Sequence, residues 1–188
     1  MEKIKLNLGC GEKRYDGYIN VDKYGKPDLK HDLETFPWPW ENESVSEIQM
    51  VHVLEHLGKD VDIYFGIFKE IYRICHHGAK VFITVPHFRH EFFFDDPTHV
   101  RVVTPLGLAL FSKRQNKLWI ANGASNSPLG LYLDIDFELK QTILKPSSDW
   151  FRLYPDKNVD VKLLREKSSI YNNLIEQYEM MLEVIKDT

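Results

Sequence analysis

Residues 79–86, AKVFITVP, constrain this chain more than any other stretch. The run is nearly continuous in β-branched and aromatic side chains, the pattern of a strand buried on both faces. A helical segment precedes it. From Asp60 to His77 the apolar residues Val61, Tyr64, Phe65, Phe68, Ile71, Tyr72 and Cys75 recur at helical spacing. Asp60 stands as N-cap and Gly78 as the closing glycine. The His76-His77 pair then falls at the helix end, where cationic side chains favour the dipole.

The same alternation runs through the rest of the chain. KLNL (5–8), GYINVD (17–22), PDLKHDL (27–33) and SEIQMVHVL (46–54) read as strands separated by glycines and a proline. Thr104-Pro105 opens a helix to about Lys113. Residues 113–131, rich in Asn, Gly and Ser, read as a loop or insertion. YLDIDFELKQTIL (132–144) alternates like a strand, with Asp134 and Asp136 on one face. The C-terminal part, 145–188, reads as a helix over about 160–178 and a last strand at 180–186. At 188 residues one domain, 1–188, is the economical reading. Alternating strands and helices give the fold class α/β: a single three-layer doubly wound domain. Its sheet is expected to be seven-stranded and mostly parallel, with an antiparallel C-terminal strand. In such sheets ligands bind beyond the carboxyl ends of the strands.

Composition excludes some partners. The net charge is −4 with acids and bases interspersed, so no basic footprint for nucleic acid is present. No apolar run approaches the roughly 20 residues that span a bilayer. The N-terminus lacks the apolar core of a signal peptide. Cys10 and Cys75, the two cysteines, have no metal spacing and read as reduced thiols, so a cytoplasmic protein is expected.

Three successive strand ends carry chemistry. Gly9-Cys10-Gly11 lets the backbone turn tightly and approach a ligand. Asp22 can accept from ribose hydroxyls, and Asp32, with Leu33 as an apolar wall, from an exocyclic amine. Both NAD and S-adenosylmethionine can be held this way. The dinucleotide fingerprint G-x-G-x-x-G wants a third glycine and an acid about 20 residues on. Here Lys13 stands near the third glycine's place and Asp22 arrives early. A ligand without a pyrophosphate tolerates that loss.

LNLGCG, GYINVD, HDLETFPWPWENESVSEIQMVHVLEHL, EIYRICHHGAKVFITVP and DPTHVRVVT resemble consecutive motifs of class I S-adenosylmethionine-dependent methyltransferases. The resemblance covers about residues 4–112 and is closest to the group with an LNLGCG start and a HVLEHL middle. It implies that Asn7, Gly9, Cys10 and Gly11 line the methionine part of S-adenosyl-L-methionine. It places Asp22 on the ribose, Asp32 and Leu33 on the adenine, and His52 beside the methionine end. The chain departs from the group at Asn7, where many members have an acid, and at Lys13. The 11–17 connection is also short for a parallel crossover, so the first helix is expected to shrink to about a turn.

The segment PHFRHEFFFDDPTH should cover the site mouth. His99, with His87 or Asp96, is a candidate general base. His90 joins His87 and Asp96 as a substrate or lid residue, and Phe88 and Phe92–Phe94 offer a hydrophobic flap. His87, His90, His99 and the Asp95-Asp96 pair have the types to form a metal site, DDPTH can equally be a plain Asx-type turn, and no metal is assigned. His56, beside Glu55, is a second catalytic candidate, against a role in orienting the loop. Trp38 and Trp40 read as loop packing more readily than as adenine stacking. The expected activity is methyl transfer to an O or N nucleophile of a small molecule or saccharide. The alternatives are a non-catalytic S-adenosylmethionine-binding protein and, more weakly, an NAD-dependent oxidoreductase.

Overall fold

Asp60 caps helix α1 (Val61–Ile74) by accepting the Asp62 N–H at 2.8 Å. Tyr64, Ile67, Phe68, Ile71 and Ile74 form the buried stripe. The computed structural model in which this helix is seen describes residues 3–155 and 158–186. Before α1 come β1 (Ile4–Leu8), β2 (Ile19–Asp22), β3 (Leu29–Lys30), β4 (Val45–Val51) and a 3-10 turn at Leu54–His56. After it come β5 (Cys75–Pro86), α2 (Glu91–Asp95), α3 (Pro105–Ala109), α4 (Lys113–Ala121) and α5 (Leu129–Leu133). The chain closes with β6 (Phe137–Pro146), α6 (Ser148–Leu153), α7 (Val161–Ser168) and β7 (Ile175–Val184).

The strands form one seven-stranded sheet in the order β3-β2-β1-β4-β5-β7-β6. β1 to β5 pair in parallel, and β7 runs antiparallel to both β5 and β6. This is the expected doubly wound sheet with its antiparallel C-terminal strand. No helix among the described residues is long and apolar enough to cross a membrane.

Several boundaries differ from expectation: the strand expected over 27–33 is only Leu29–Lys30, and the helix expected from Thr104 stops at Ala109. α1 stops at Ile74 because Cys75 pairs with Val45 and opens β5. His76 and His77 therefore lie in a strand, and Gly78, at φ +77°, sits in the bulge between the Cys75 and Lys80 pairings. Residues 113–131 hold helix α4, which Ser112 caps by accepting the Gln115 N–H at 3.1 Å. The 132–144 strand begins only at Phe137. Asp134 caps α5 at φ +53°, while Asp136 Oδ1 accepts the Lys113 N–H, so the two acids share no strand face. The C-terminal helix ends at Ser168, because residues from Ile175 are drawn into pairing with β5 and β6.

The core lies between α1 and one face of the sheet. Leu6, Leu8, Ile48, Met50, Val81, Ile83 and Leu182 are buried there, and Phe68 stacks on Phe111 at 4.2 Å. From Lys80 to Thr84, β5 is buried on that face only: Phe82 and Thr84 are half-buried and Lys80 is exposed. Crossover handedness explains this. The β4-to-β5 connection moves outward in one direction and puts α1 on one face. The β1-to-β2 and β2-to-β3 connections move the other way and belong to the opposite face, yet both are coil.

A polar cluster stands where the first crossover helix is missing. The buried Asn20 side chain accepts the Tyr15 N–H at 2.8 Å and the Asn7 amide at 2.9 Å. It donates to Asp28 Oδ2 at 2.7 Å and more weakly to the Tyr15 and Tyr18 carbonyls. Asn7 Nδ2 also reaches the Lys13 carbonyl at 2.8 Å, and Arg14 pairs with Asp28. Side chains thus satisfy backbone groups that a helix would pair internally.

Asn20→Ala leaves several of these buried groups unpaired and is expected to cost about 3 kcal/mol in urea unfolding. The double variant with Asn7→Ala should cost clearly less than the two single losses added, because the residues share one bond.

Candidate functional site

The carboxyl ends of β1, β2 and β4 open onto a cavity of about 310 Å³. Gly9, Gly11, Asp22, Asp32, Leu33 and His52 all line it, together with Lys23, Tyr24, His31, Val53, His56 and Leu57. Its size falls within the range of small-molecule sites. Gly9 has φ +66°, and a Cβ there would stand 2.2 Å from Val53 Cγ2. Only glycine fits that turn. Gly11 donates its N–H to Asp22 Oδ2 at 2.9 Å, and Tyr24 N–H reaches Asp22 Oδ1 at 2.9 Å. Each Asp22 oxygen is thereby fixed by one backbone donor and keeps lone pairs for a ligand. Asp32 is held similarly, its Oδ1 accepting the Glu34 N–H at 3.1 Å, with Lys23 Nζ 3.7 Å from Oδ2.

Two candidates from the first strand and its turn lie outside the lining. Asn7 is 3% exposed and committed to Lys13 and Asn20. Cys10 is buried, its N–H on the Val21 carbonyl, and burial, followed by the charge of Asp22, raises its thiol pKa. Trp38 and Trp40 also stay out of the cavity. They pack edge-to-face at 6.1 Å, and Trp38 Nε1 donates to the Leu33 carbonyl at 3.1 Å.

His52 ends β4 in a left-handed backbone at φ +54°, a strained conformation of the kind that collects at ligand sites. Its Nδ1 stands 3.4 Å from Glu55 Oε1. That carboxylate holds the imidazole pKa above its ordinary value, against the opposing effect of burial. Glu55, from the 3-10 turn, is 1% exposed, and neither of its carboxylate oxygens has a hydrogen-bond partner among the described residues. The sequence pairs Glu55 with His56 but gives no sign of this burial.

DDPTH folds as an Asx turn, with Asp96 Oδ1 accepting both the Thr98 N–H and its hydroxyl, at 2.8 and 2.6 Å. Those bonds hold the Asp96 carboxyl below the usual range. His99 Nδ1 meets the Phe93 carbonyl at 2.8 Å, and its ring lies 4.6 Å from that of His56. His56 and His99 thus come together at the cavity wall. His87 and His90 do not join them. His90 caps α2, its Nδ1 accepting the Phe92 N–H. His87 lines a second cleft of about 490 Å³ with Phe88, Arg89, Leu144, Arg165 and Tyr178. This cleft lies past the end of β5, at the same edge of the sheet.

No protein-family model and no curated protein matches the chain by sequence. Solved structures do match it. A SAM-dependent methyltransferase from Archaeoglobus fulgidus is 19% identical over 96% of this chain and 86% of that one, with a TM-score of 0.61. The [4+2]-cyclase SpnF is 12% identical over 98% and 76% of the two chains, at 0.57. A Burkholderia thailandensis 1,6-didemethyltoxoflavin-N1-methyltransferase with bound S-adenosylhomocysteine is 12% identical over 97% and 71%, at 0.52. The chain shares their fold.

Gly9→Ala is expected to lower stability by about 2–4 kcal/mol, from the clash and the backbone strain together, and to abolish ligand binding in this cavity. Gly11→Ala, whose Cβ meets nothing within 4 Å, should cost less in urea unfolding.

A second prediction concerns His87. Its Nδ1 accepts the Arg89 N–H at 3.1 Å, so the neutral ring is the one bonded. Burial first, then the charges of Arg89 and His90, lower its pKa to about 4. The unfolded chain takes up this proton near pH 6.5, before the folded one does. His87 stability is therefore full above that pH and lost as pH falls toward about 4. Wild type should lose about 2 kcal/mol more than His87→Gln between pH 7.5 and 5 in urea melts.

Proposed function

We propose that this protein is an S-adenosylmethionine-dependent methyltransferase acting on an O or N nucleophile of a small molecule or saccharide. One observation carries the reading. The glycine turn after β1 leads into coil, with no helix behind it. A dinucleotide pyrophosphate is held by the N–H groups and dipole of a helix N-terminus at this point. A cavity that keeps the glycines and both carboxylates, yet has no such helix, suits an adenosine ligand without phosphates. The sulfonium's positive charge also suits a site bordered by Asp22, Asp32 and Glu55.

In this reading Asp22 holds the ribose hydroxyls, Asp32 accepts from the adenine amine and Leu33 packs on the ring. Gly9 and Gly11 let the methionine portion approach the backbone, and His52 borders it. The acceptor's nucleophile lies on the His56 side of this cavity, and the rest of the acceptor extends toward the cleft of His87 and Phe88, where Arg89 and Arg165 favour polar or anionic groups. Reaction is an in-line displacement. The nucleophile bonds to the methyl carbon as the C–S bond breaks, its electron pair returning to sulfur, and S-adenosylhomocysteine leaves. Alignment is the protein's main contribution. His56, on the cavity wall with His99 behind it, is where the acceptor proton is handled. Because SpnF carries a cyclase name on the same fold, turnover has to be measured separately from binding.

Calorimetry should detect S-adenosylmethionine binding and none of NAD. Asp22→Ala should weaken the former by about 10- to 100-fold, the loss expected for hydrogen bonds to a charged group. Methyl label should appear in an acceptor from a hydroxylated or amine metabolite library. Absence of S-adenosylmethionine binding at millimolar concentration would refute the reading. Binding without any turnover would reduce it to a cofactor-binding protein.

A further inference from the structure

Three side chains meet beside the cavity, each with a donor atom that takes part in no hydrogen bond among the described residues. Glu55 and His56 come from the 3-10 turn after β4, and His99 comes from the Asx turn before α3. One donor atom of each lies within 4.8 Å of the other two. Roughly tetrahedral bonds of about 2.0–2.2 Å hold donors about 3.3 Å apart, so closure asks for shifts of about 1.5 Å or less.

The hydrogen-bond partners fix which nitrogens are available. The Phe93 carbonyl can only accept, so His99 Nδ1 carries the hydrogen and its Nε2 is bare. The Thr98 hydroxyl hydrogen is spent on Asp96, so its oxygen accepts from His56 Nδ1–H at 2.8 Å. His56 Nε2 is therefore bare too. Metal-binding histidines are oriented in this way, with the second ring nitrogen donating to a carbonyl or a carboxylate-linked group.

The carboxylate supplies the independent sign. Glu55 is 1% exposed and neither oxygen accepts a hydrogen bond among the described residues. His52 Nδ1, at 3.4 Å from Oε1, is its near neighbour. Arg101 donates its backbone N–H to the Glu55 carbonyl but sends its guanidinium to the Gly58 carbonyl and over the Tyr64 ring. Asp96 Oδ2 is 4.0 Å from His99 Nε2, too far for a hydrogen bond. His52 faces Oε1 alone, so the buried carboxylate keeps an oxygen, Oε2, with no hydrogen bond or ion pair among the described residues, and that oxygen suits a further cation.

We propose that Glu55, His56 and His99 bind a divalent transition metal, with an open position facing the cavity that His56 lines. Two imidazoles and one carboxylate form a donor set suited to zinc, cobalt or iron. Resting on the methyltransferase reading, the open position takes an acceptor hydroxyl. The metal lowers that hydroxyl's pKa, water accepts the proton, and the bound oxygen attacks the methyl carbon as the C–S bond breaks. The acceptor is then a hydroxyl compound rather than an amine.

Untagged, metal-stripped protein is titrated with Zn²⁺ by calorimetry and with Co²⁺ by visible absorption. One ion per chain is expected, with the intense Co²⁺ bands of four- or five-fold coordination. His56→Ala, His99→Ala and Glu55→Gln should each weaken Zn²⁺ by at least about tenfold, and His87→Gln should leave it unchanged. Absence of Zn²⁺ binding and Co²⁺ bands in folded wild type overturns the proposal, as does unchanged affinity in both histidine variants. Because the wild-type Co²⁺ spectrum decides by itself, an unstable Glu55→Gln does not block the test. S-adenosylmethionine binding is measured separately. Metal binding without it leaves this site standing, and cofactor binding with no metal removes the site alone.

Discussion

The Asn20 side chain holds the crossover between β1 and β2 in its shape. Parallel neighbours β1 and β2 need a crossover, and residues 9–18 supply it without a helix. Such coil leaves backbone groups to be paired by something else. Asn20 bonds Tyr15, Asn7 and Asp28, and Asp28 in turn accepts the Asn20 N–H at 2.9 Å and pairs with Arg14. These bonds from Asn20 and Arg14 also hold the Asp28 carboxyl below its usual pKa. The knot is polar, buried at its centre and fully engaged, the condition under which such networks specify one conformation.

The missing helix has consequences on both sides of the loop. Toward the sheet, one face lacks two crossover helices, and from Lys80 to Thr84 β5 is buried on the α1 face alone. Toward the ligand, the glycine turn keeps its N–H groups and its close approach but has no helix dipole behind it. Asp22 takes over part of the organisation by accepting from Gly11 and Tyr24. What remains is a site whose carboxylates, Asp22 and Asp32, outnumber the one lining lysine, Lys23, which leans toward Asp32.

Much of this cavity was legible in the sequence, because its residues sit immediately after strands whose patterns are strong. Gly9, Gly11, Asp22, Asp32, Leu33 and His52 do share one cavity. Asn7 occupies an inward strand position and Cys10 a turn, and spacing gives no hint that both point into packing. The histidines were harder still. His87, His90 and His99 lie within thirteen positions of one another in the chain. The chain turns at α2 and again at the Asx turn, which sends His87 to one cleft and His99 to His56. Proximity along a loop says little about proximity in space.

By itself the sequence determined the strand order class, the core stripe of α1 and the carboxylates at strand ends, since hydrophobic period and capping act over a few residues. Only the tertiary structure decided where strands overrule helices. β5 claims Cys75 and β7 claims Ile175 through ladder bonds to distant partners, Val45 and Pro146. It also decided that Glu55 is buried without a hydrogen-bond partner beside His56 and His99. Burial is a property of what packs around a residue, and for Glu55 those neighbours lie as far along the chain as Val100 and Arg101.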